Sequence, residues 1–220
     1  MISMKTKLLK VGALIVAALT ISFSGFSDIY YSNATGYSGS YFVPPSASTE
    51  FGDQVIAPVG NTANVVTDFQ FEYFGSLGST AGKTGVIKFY DNTGTSGAPG
   101  NNLFTSSSFS LGNGYNTIVM SSLVVPVPAG GLTWTVSFSG LTVGEAAGLL
   151  IYENPTVGTS QNDYWSFSGG SWALNQISGG SPKANFGARI VAVPEPTVVQ
   201  FAGLGVAALL SMAGYRRFSK

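Results

Sequence analysis

Leu132, Trp134, Val136 and Phe138 alternate with Thr133, Thr135, Ser137 and Ser139. A period of two puts one set of side chains on a buried face and the other on a wet one, which is the pattern of a β-strand. Phe69, Phe71 and Tyr73 repeat it against Asp68, Gln70 and Glu72. The stretches 86–90, 116–125, 165–167, 171–177 and 185–192 also read as strands. Ala147 to Tyr152 is apolar throughout, as expected of a strand at the centre of a sheet. Gly-rich turns separate these runs, Thr, Ser, Val and Phe favour strand, and no comparable stretch shows helical spacing with caps. Many short strands punctuated by turns predict an all-β fold over residues 28–193, an antiparallel β-sandwich of jelly-roll-like type forming one domain.

Hydrophobic runs bracket this region. Lys5, Lys7 and Lys10 precede an apolar run of 13 residues from Val11 to Phe23, and the small residues Ser24, Gly25 and Ser27 follow. That is the layout of a secretory signal peptide over residues 1–27, a helix read by the Sec machinery and cut by signal peptidase after Ser24 or Ser27. An uncleaved N-terminal anchor is the alternative. At the other end, Thr197 to Tyr215 is a 19-residue stretch whose only ionisable group is the Tyr215 phenol. Its length is close to the ~20 residues a helix needs to cross a bilayer. Val198, Val199, Phe201, Leu204, Val206, Leu209 and Leu210 are diluted by Gly, Ala, Ser and Thr, so this transmembrane helix is weakly hydrophobic and suited to holding a protein in transit.

Charge divides the chain the same way. All ten acidic residues lie between the two runs with only four basic ones, Lys83, Lys88, Lys183 and Arg189, a net of six negative charges. The other six cations, Lys5, Lys7, Lys10, Arg216, Arg217 and Lys220, flank the runs where the positive-inside rule expects cytoplasm. The middle of the chain is therefore the exported part. Its acidity argues against nucleic acid as a partner, because a basic patch is needed to replace counterions.

Just before the C-terminal run stands Pro194-Glu195-Pro196. Each proline fixes its own φ and pushes the residue before it, Val193 or Glu195, into extended backbone. An extended strand outside a membrane is a shape that proteases accept. Motif, span and basic tail over residues 194–220, in that order, resemble the PEP-CTERM sorting signal of bacterial surface proteins. The resemblance implies that exosortase, a membrane-embedded cysteine transpeptidase-like enzyme, recognises Pro194, Glu195 and Pro196 and removes the tail, with Arg216, Arg217 and Lys220 as the basic stop. An ordinary single-span anchor behind a proline linker is the alternative. The middle region is similar to β-rich surface proteins sorted in this way, through Phe51-Gly52-Asp53-Gln54-Val55, residues 67–75, Lys88-Phe89-Tyr90-Asp91-Asn92 and Asn185-Phe186-Gly187-Ala188-Arg189. That likeness brings no activity and no site with it.

Cysteine and histidine are both absent. Without disulfides the exported domain must stand on its own core, for which ~165 residues suffice. Ser-His-Asp triads, Cys-His dyads and ordinary zinc sites are excluded, and no cofactor is expected.

The remaining candidates are oxygen and aromatic groups. Residues 91–102 form a loop rich in Asp, Asn and Gly, in which Asp91 and Asn92 are weak calcium candidates; one carboxylate and irregular spacing make a long hairpin loop the simpler reading. Trp165 and Trp172 with Glu153 and Asp163 are candidates for contact with a glycan, and Glu145 and Trp134 belong to the same pool, since carboxylate pairs run glycoside hydrolysis and rings stack on sugars. Core or edge packing is the competing role for each Trp. The polar segment from Asn154 to Asp163 is the loop expected to face a ligand. Asn33-Ala34-Thr35 fits a glycosylation sequon but reads more simply as part of a polar N-terminal linker.

The expectation is an exported surface or matrix protein, first held in the membrane by its C-terminal helix, without catalytic activity and structural or adhesive in an exopolysaccharide layer. A lectin-like carbohydrate-binding module is the alternative, and a glycan-active enzyme the third reading. A wet aromatic platform favours the second, and two facing carboxylates in a cleft the third.

Overall fold

The computed structural model describes residues 27–45 and 49–194. The expected signal helix within 1–27, the span 197–215 and the tail residues Glu195, Pro196, Arg216, Arg217 and Lys220 lie outside the described residues, apart from Ser27. Among the described residues no helix is long and apolar enough to cross a membrane.

Fifteen strands are described: β1 Asp28–Asn33, β2 Tyr37–Phe42, β3 Glu50–Ile56, β4 Val65–Ser76, β5 Thr84–Asp91, β6 Asn102–Thr105, β7 Phe109–Ser110, β8 Gly114–Met120, β9 Val125–Pro126, β10 Leu132–Ser139, β11 Ala146–Tyr152, β12 Thr159–Ser160, β13 Tyr164–Ser168, β14 Ser171–Asn175 and β15 Ala188–Val193. They form two antiparallel sheets, and the described residues make an all-β sandwich. Sheet A runs β1-β15-β4-β11-β2, with β8 and β9 also pairing β4. The 12-residue β4 is long enough to serve two neighbours along each edge, β15 then β11 on one and β9 then β8 on the other. Sheet B runs β14-β13-β3-β10-β5-β6, with β12 on β3 and β7 on β5.

The alternation in β4 behaves as its period requires. Phe69, Phe71 and Tyr73 point inward and are buried, while Asp68, Gln70 and Glu72 are half-buried on the other face. From sheet B, Trp134 and Phe89 meet them, with ring centroids 5.2 Å and 5.0 Å from Phe69. Truncating a ring in such a core costs about 3–5 kcal/mol. The apolar β11 lies between β4 and β2, buried along nearly all its length. Gly169 and Gly170, with φ of 63° and 87°, join β13 to β14 in a two-residue turn that only glycine takes easily at both positions.

Three expectations need correction. The polar face of β10 is wet only toward its end: Thr133 and Thr135 are fully buried, their hydroxyls donating to Asn92 Oδ1 at 2.8 Å and Glu50 Oε1 at 2.7 Å, while Ser137 is half-buried and Ser139 exposed. The single strand expected over 116–125 is two, β8 and β9, broken where Ser122 takes a φ of 59°. Asn33 does not sit in a polar linker. It is fully buried in β1 with its Nδ2 donating to Phe186 O, so the sequon is closed to modification.

Candidate functional site

The residues singled out from the sequence are divided between the two sheets. Trp134 is in the core. Trp165, on the outer face of sheet B, is 5% exposed, and its indole N–H donates to Gln54 Oε1 at 3.1 Å. Trp172 is half-buried, with its ring 5.0 Å from Phe167 and 5.2 Å from Tyr90. Beside them Glu50 holds Lys88 at 2.6 Å. Glu153 follows β11 of sheet A and is exposed, whereas the half-buried Asp163 precedes β13 of sheet B.

Glu145 serves as a loop clamp. Its carboxylate accepts the N–H groups of Gly78 at 2.7 Å and Thr142 at 2.9 Å, and it pairs with Lys83 at 3.0 Å. The Thr142 N–H and the Lys83 ammonium are the main reasons its pKa is held down to about 2. Asp91 is engaged in the same way. Its oxygens accept from the Thr93 N–H and hydroxyl and from the Asn101 N–H and side-chain amide, at 2.6 to 3.2 Å. Burial pushes the Asp91 pKa up, and these bonds outweigh it, holding the group at about 2. Asn92 spans from Gly130 O to the Thr133 hydroxyl. A carboxylate ringed by N–H and O–H donors locks a turn; it does not present free lone pairs to a cation. Among the described residues no three His, Cys, Asp or Glu are grouped to hold a metal ion. Pro194 is exposed, one residue past β15.

The water-facing aromatic groups are elsewhere. On the outer face of sheet A, β2, β11, β4 and β8 lie side by side. Register puts Tyr115 opposite Phe74, Phe74 opposite Gly148, and Tyr37 opposite Tyr152, all on that face. Position 148 tolerates only glycine, since a Cβ there would stand 2.3 Å from Phe42 O. Across this gap Tyr41 and Phe74 stack, with centroids 4.6 Å apart. The series continues from Phe74 to Tyr115 at 5.0 Å, to Tyr37 at 5.8 Å and to Tyr152 at 5.5 Å. Tyr41 is 39% and Tyr115 65% exposed.

Hydroxyls fix the ends of these rings. Tyr152 donates to Glu72 Oε2, and its ring lies on the backbone of Gly187, where a Cβ would come within 2.5 Å. Tyr37 donates to the Tyr115 hydroxyl at 3.4 Å; desolvation first, and that hydrogen bond second, push its pKa up to about 12. Next to Tyr152 opens a cavity of about 300 Å³, walled by Ser38, Tyr152, Glu153, Asn154, Lys183 and Asn185. Rings with polar tips beside a pocket carrying both donors and acceptors suit a ligand that is apolar on one face and hydroxylated at its edges.

Of the candidates named from sequence, Glu153 and Asn154, the first residue of the loop expected to face a ligand, border this site. Tyr37, Tyr41, Phe74, Tyr115 and Tyr152 escaped notice because their neighbours come from four separate strands. The available signal was local: Tyr37 and Tyr41 are four apart on one strand and so share a face. No protein-family model matches the chain, and no curated protein or solved structure matches it.

Proposed function

We propose that this is an exported, non-catalytic surface protein that holds polysaccharide, structural or adhesive in an extracellular glycan layer, on a jelly-roll-like sandwich. The observation that carries the reading is the ring series running toward the cavity at Glu153 and Lys183, with Tyr41 and Tyr115 exposed on either side of the half-buried Phe74. Tyr offers a rigid, amphipathic contact area at low entropic cost, which suits repeated weak contacts with a sugar chain. The non-catalytic part of the reading is supported by the carboxylates. Hydrolysis needs two carboxyl groups facing each other about 5–9 Å apart. Glu145 and Asp91 are tied into loops, and Glu153 and Asp163 adjoin strands of different sheets.

Export rests on the N-terminal run, the acidic middle and the tail that resembles a PEP-CTERM signal. In this reading exosortase acts at Pro194, Glu195 and Pro196 on a membrane-held precursor, and the product reaches the cell surface or matrix. Two experiments test the two halves. Purified protein should be retained by an immobilised glycan panel that includes extracted exopolysaccharide, and lack of retention at high protein concentration overturns the glycan reading. Replacing Pro194, Glu195 and Pro196 together should leave a longer precursor in the membrane fraction, and unchanged size on an immunoblot overturns the sorting reading.

A further inference from the structure

Asp53 differs from the other buried acids. It is fully buried on the inward face of β3 between Phe51 and Val55, opposite Trp134 on β10. Glu50 has Lys88 and Thr135, Glu145 has Lys83 and two backbone N–H groups, and Asp91 has four donors. Neither oxygen of Asp53 has a hydrogen-bond partner in the protein. The Phe186 and Gln54 backbone N–H groups and the Ser160 hydroxyl come near without reaching hydrogen-bond geometry.

Tyr31 on β1 lies near enough for the Asp53 charge to act on its phenol, and Asn33 and Ser160 neighbour Tyr31 in turn. Strand β1 of sheet A contributes the Tyr31 hydroxyl and Asn33 Oδ1, and β10 contributes Trp134 Nε1, all buried without a partner. Asn33 Nδ2 is held by Phe186 O at 3.3 Å, which leaves Oδ1 as the side-chain group without a partner. Ser160 on β12 neighbours both Tyr31 and Asp53 while donating to Asn185 Oδ1 at 2.8 Å. Among the described residues, Tyr31 is the titratable group that interacts with Asp53, and Trp134, Gln54, Ser160 and Phe186 are its other neighbours. None carries a positive charge.

An ionised carboxylate without a counter-charge is not sustained in such surroundings; the group neutralises instead. Burial accordingly drives the Asp53 pKa well above the ordinary carboxyl value, against the pull of the nearby N–H groups and Ser160. We propose that Asp53 is a neutral carboxylic acid in the folded protein at neutral pH, and that its proton latches β3 of sheet B to β1 of sheet A. One proton serves both strands. Protonated, Asp53 carries an O–H to offer toward Asn33 Oδ1, the acceptor of β1 that has no donor.

The sign follows from linkage. The folded pKa lies above the unfolded value of about 3.9, so the stabilisation is complete below that pH and is lost as pH climbs toward and through the folded value. Purified protein should therefore melt several degrees lower at about pH 9 than at about pH 5. Asp53→Asn keeps the shape and stays neutral, so its profile over that range should be much flatter. The infrared spectrum of the unmodified protein at neutral pH should contain a protonated-carboxyl band that Asp53→Asn lacks. Should that variant fail to fold, the band in the unmodified protein decides alone. Absence of the band at neutral pH overturns the proposal. A calcium- or sodium-dependent rise in melting temperature that needs Asp53 also overturns it, by assigning the missing positive charge to a cation.

Discussion

Sheet A turns Tyr41 and Tyr115 toward solvent, whereas sheet B holds Trp165 under cover with its indole N–H on Gln54 and packs Trp172 against Phe167 and Tyr90. Both outer faces are rich in rings and both carry a carboxylate, Glu72 on one and Glu50 on the other. They differ in what the polar groups do. On sheet B Glu50, Lys88 and Thr135 bond to one another, and the rings close over neighbouring strands. On sheet A the hydroxyls of Tyr152 and Tyr37 tie down ring edges, and the outermost rings remain open. The residue type most often associated with sugar stacking is thus used for packing, and Tyr supplies the accessible surface.

The contrast can be broken most severely on sheet B. Trp165→Ala should cost about 3–5 kcal/mol, because it removes a buried ring and one of the two donors to Gln54 Oε1, the other being Gln161 Nε2. Urea unfolding measures this, and glycan retention per folded molecule should not change. Glu50→Ala should cost less, about 2 kcal/mol, since Lys88 remains partly solvated when its partner is lost. An unchanged urea midpoint would show that the pair contributes nothing to that face.

On sheet A the same kind of change should act on binding. Tyr115→Ala combined with Tyr41→Ala should alter stability by about 1 kcal/mol or less, yet weaken glycan retention at least about tenfold, equivalent to ~1.4 kcal/mol. Equal losses of binding from Trp172→Ala would erase the distinction between the two faces. The loop carboxylates should make stability depend on pH only in acid. Asp91 and Glu145 have folded pKa values near 2, below their unfolded ones, so their stabilisation is present at neutral pH and lost as pH falls from about 4 through about 2. A melting temperature that is flat across that interval refutes the clamp roles. The smallest effect belongs to chelation, which should shift the melting temperature by no more than about 1 °C; a fall of several degrees restores Asp91 and Asn92 as calcium ligands.

Strands with undisturbed alternation were legible, and those carrying a functional or strained residue were not. β4 and β10 announced themselves. β3 was hidden because Asp53 occupies an inward position between Phe51 and Val55, which breaks the apolar period. β2 was hidden because its sequence, Tyr-Ser-Gly-Ser-Tyr-Phe, is mostly polar and bends where Gly39 takes a φ of 82°. For the site, residue type was visible but exposure was not: Trp165 and Tyr115 are equally plausible sugar contacts until the strands are paired.

Local chemistry by itself determined the all-β class, since a period of two needs no information beyond neighbouring side chains. It also marked out the acidic middle region and the loss of His and Cys chemistry. Only the tertiary structure decided which rings meet water and which acid lacks a partner. Those properties depend on contacts between strands far apart in the chain. Tyr41, Phe74 and Tyr115 form one surface solely because β2, β4 and β8 are brought together around a glycine in β11.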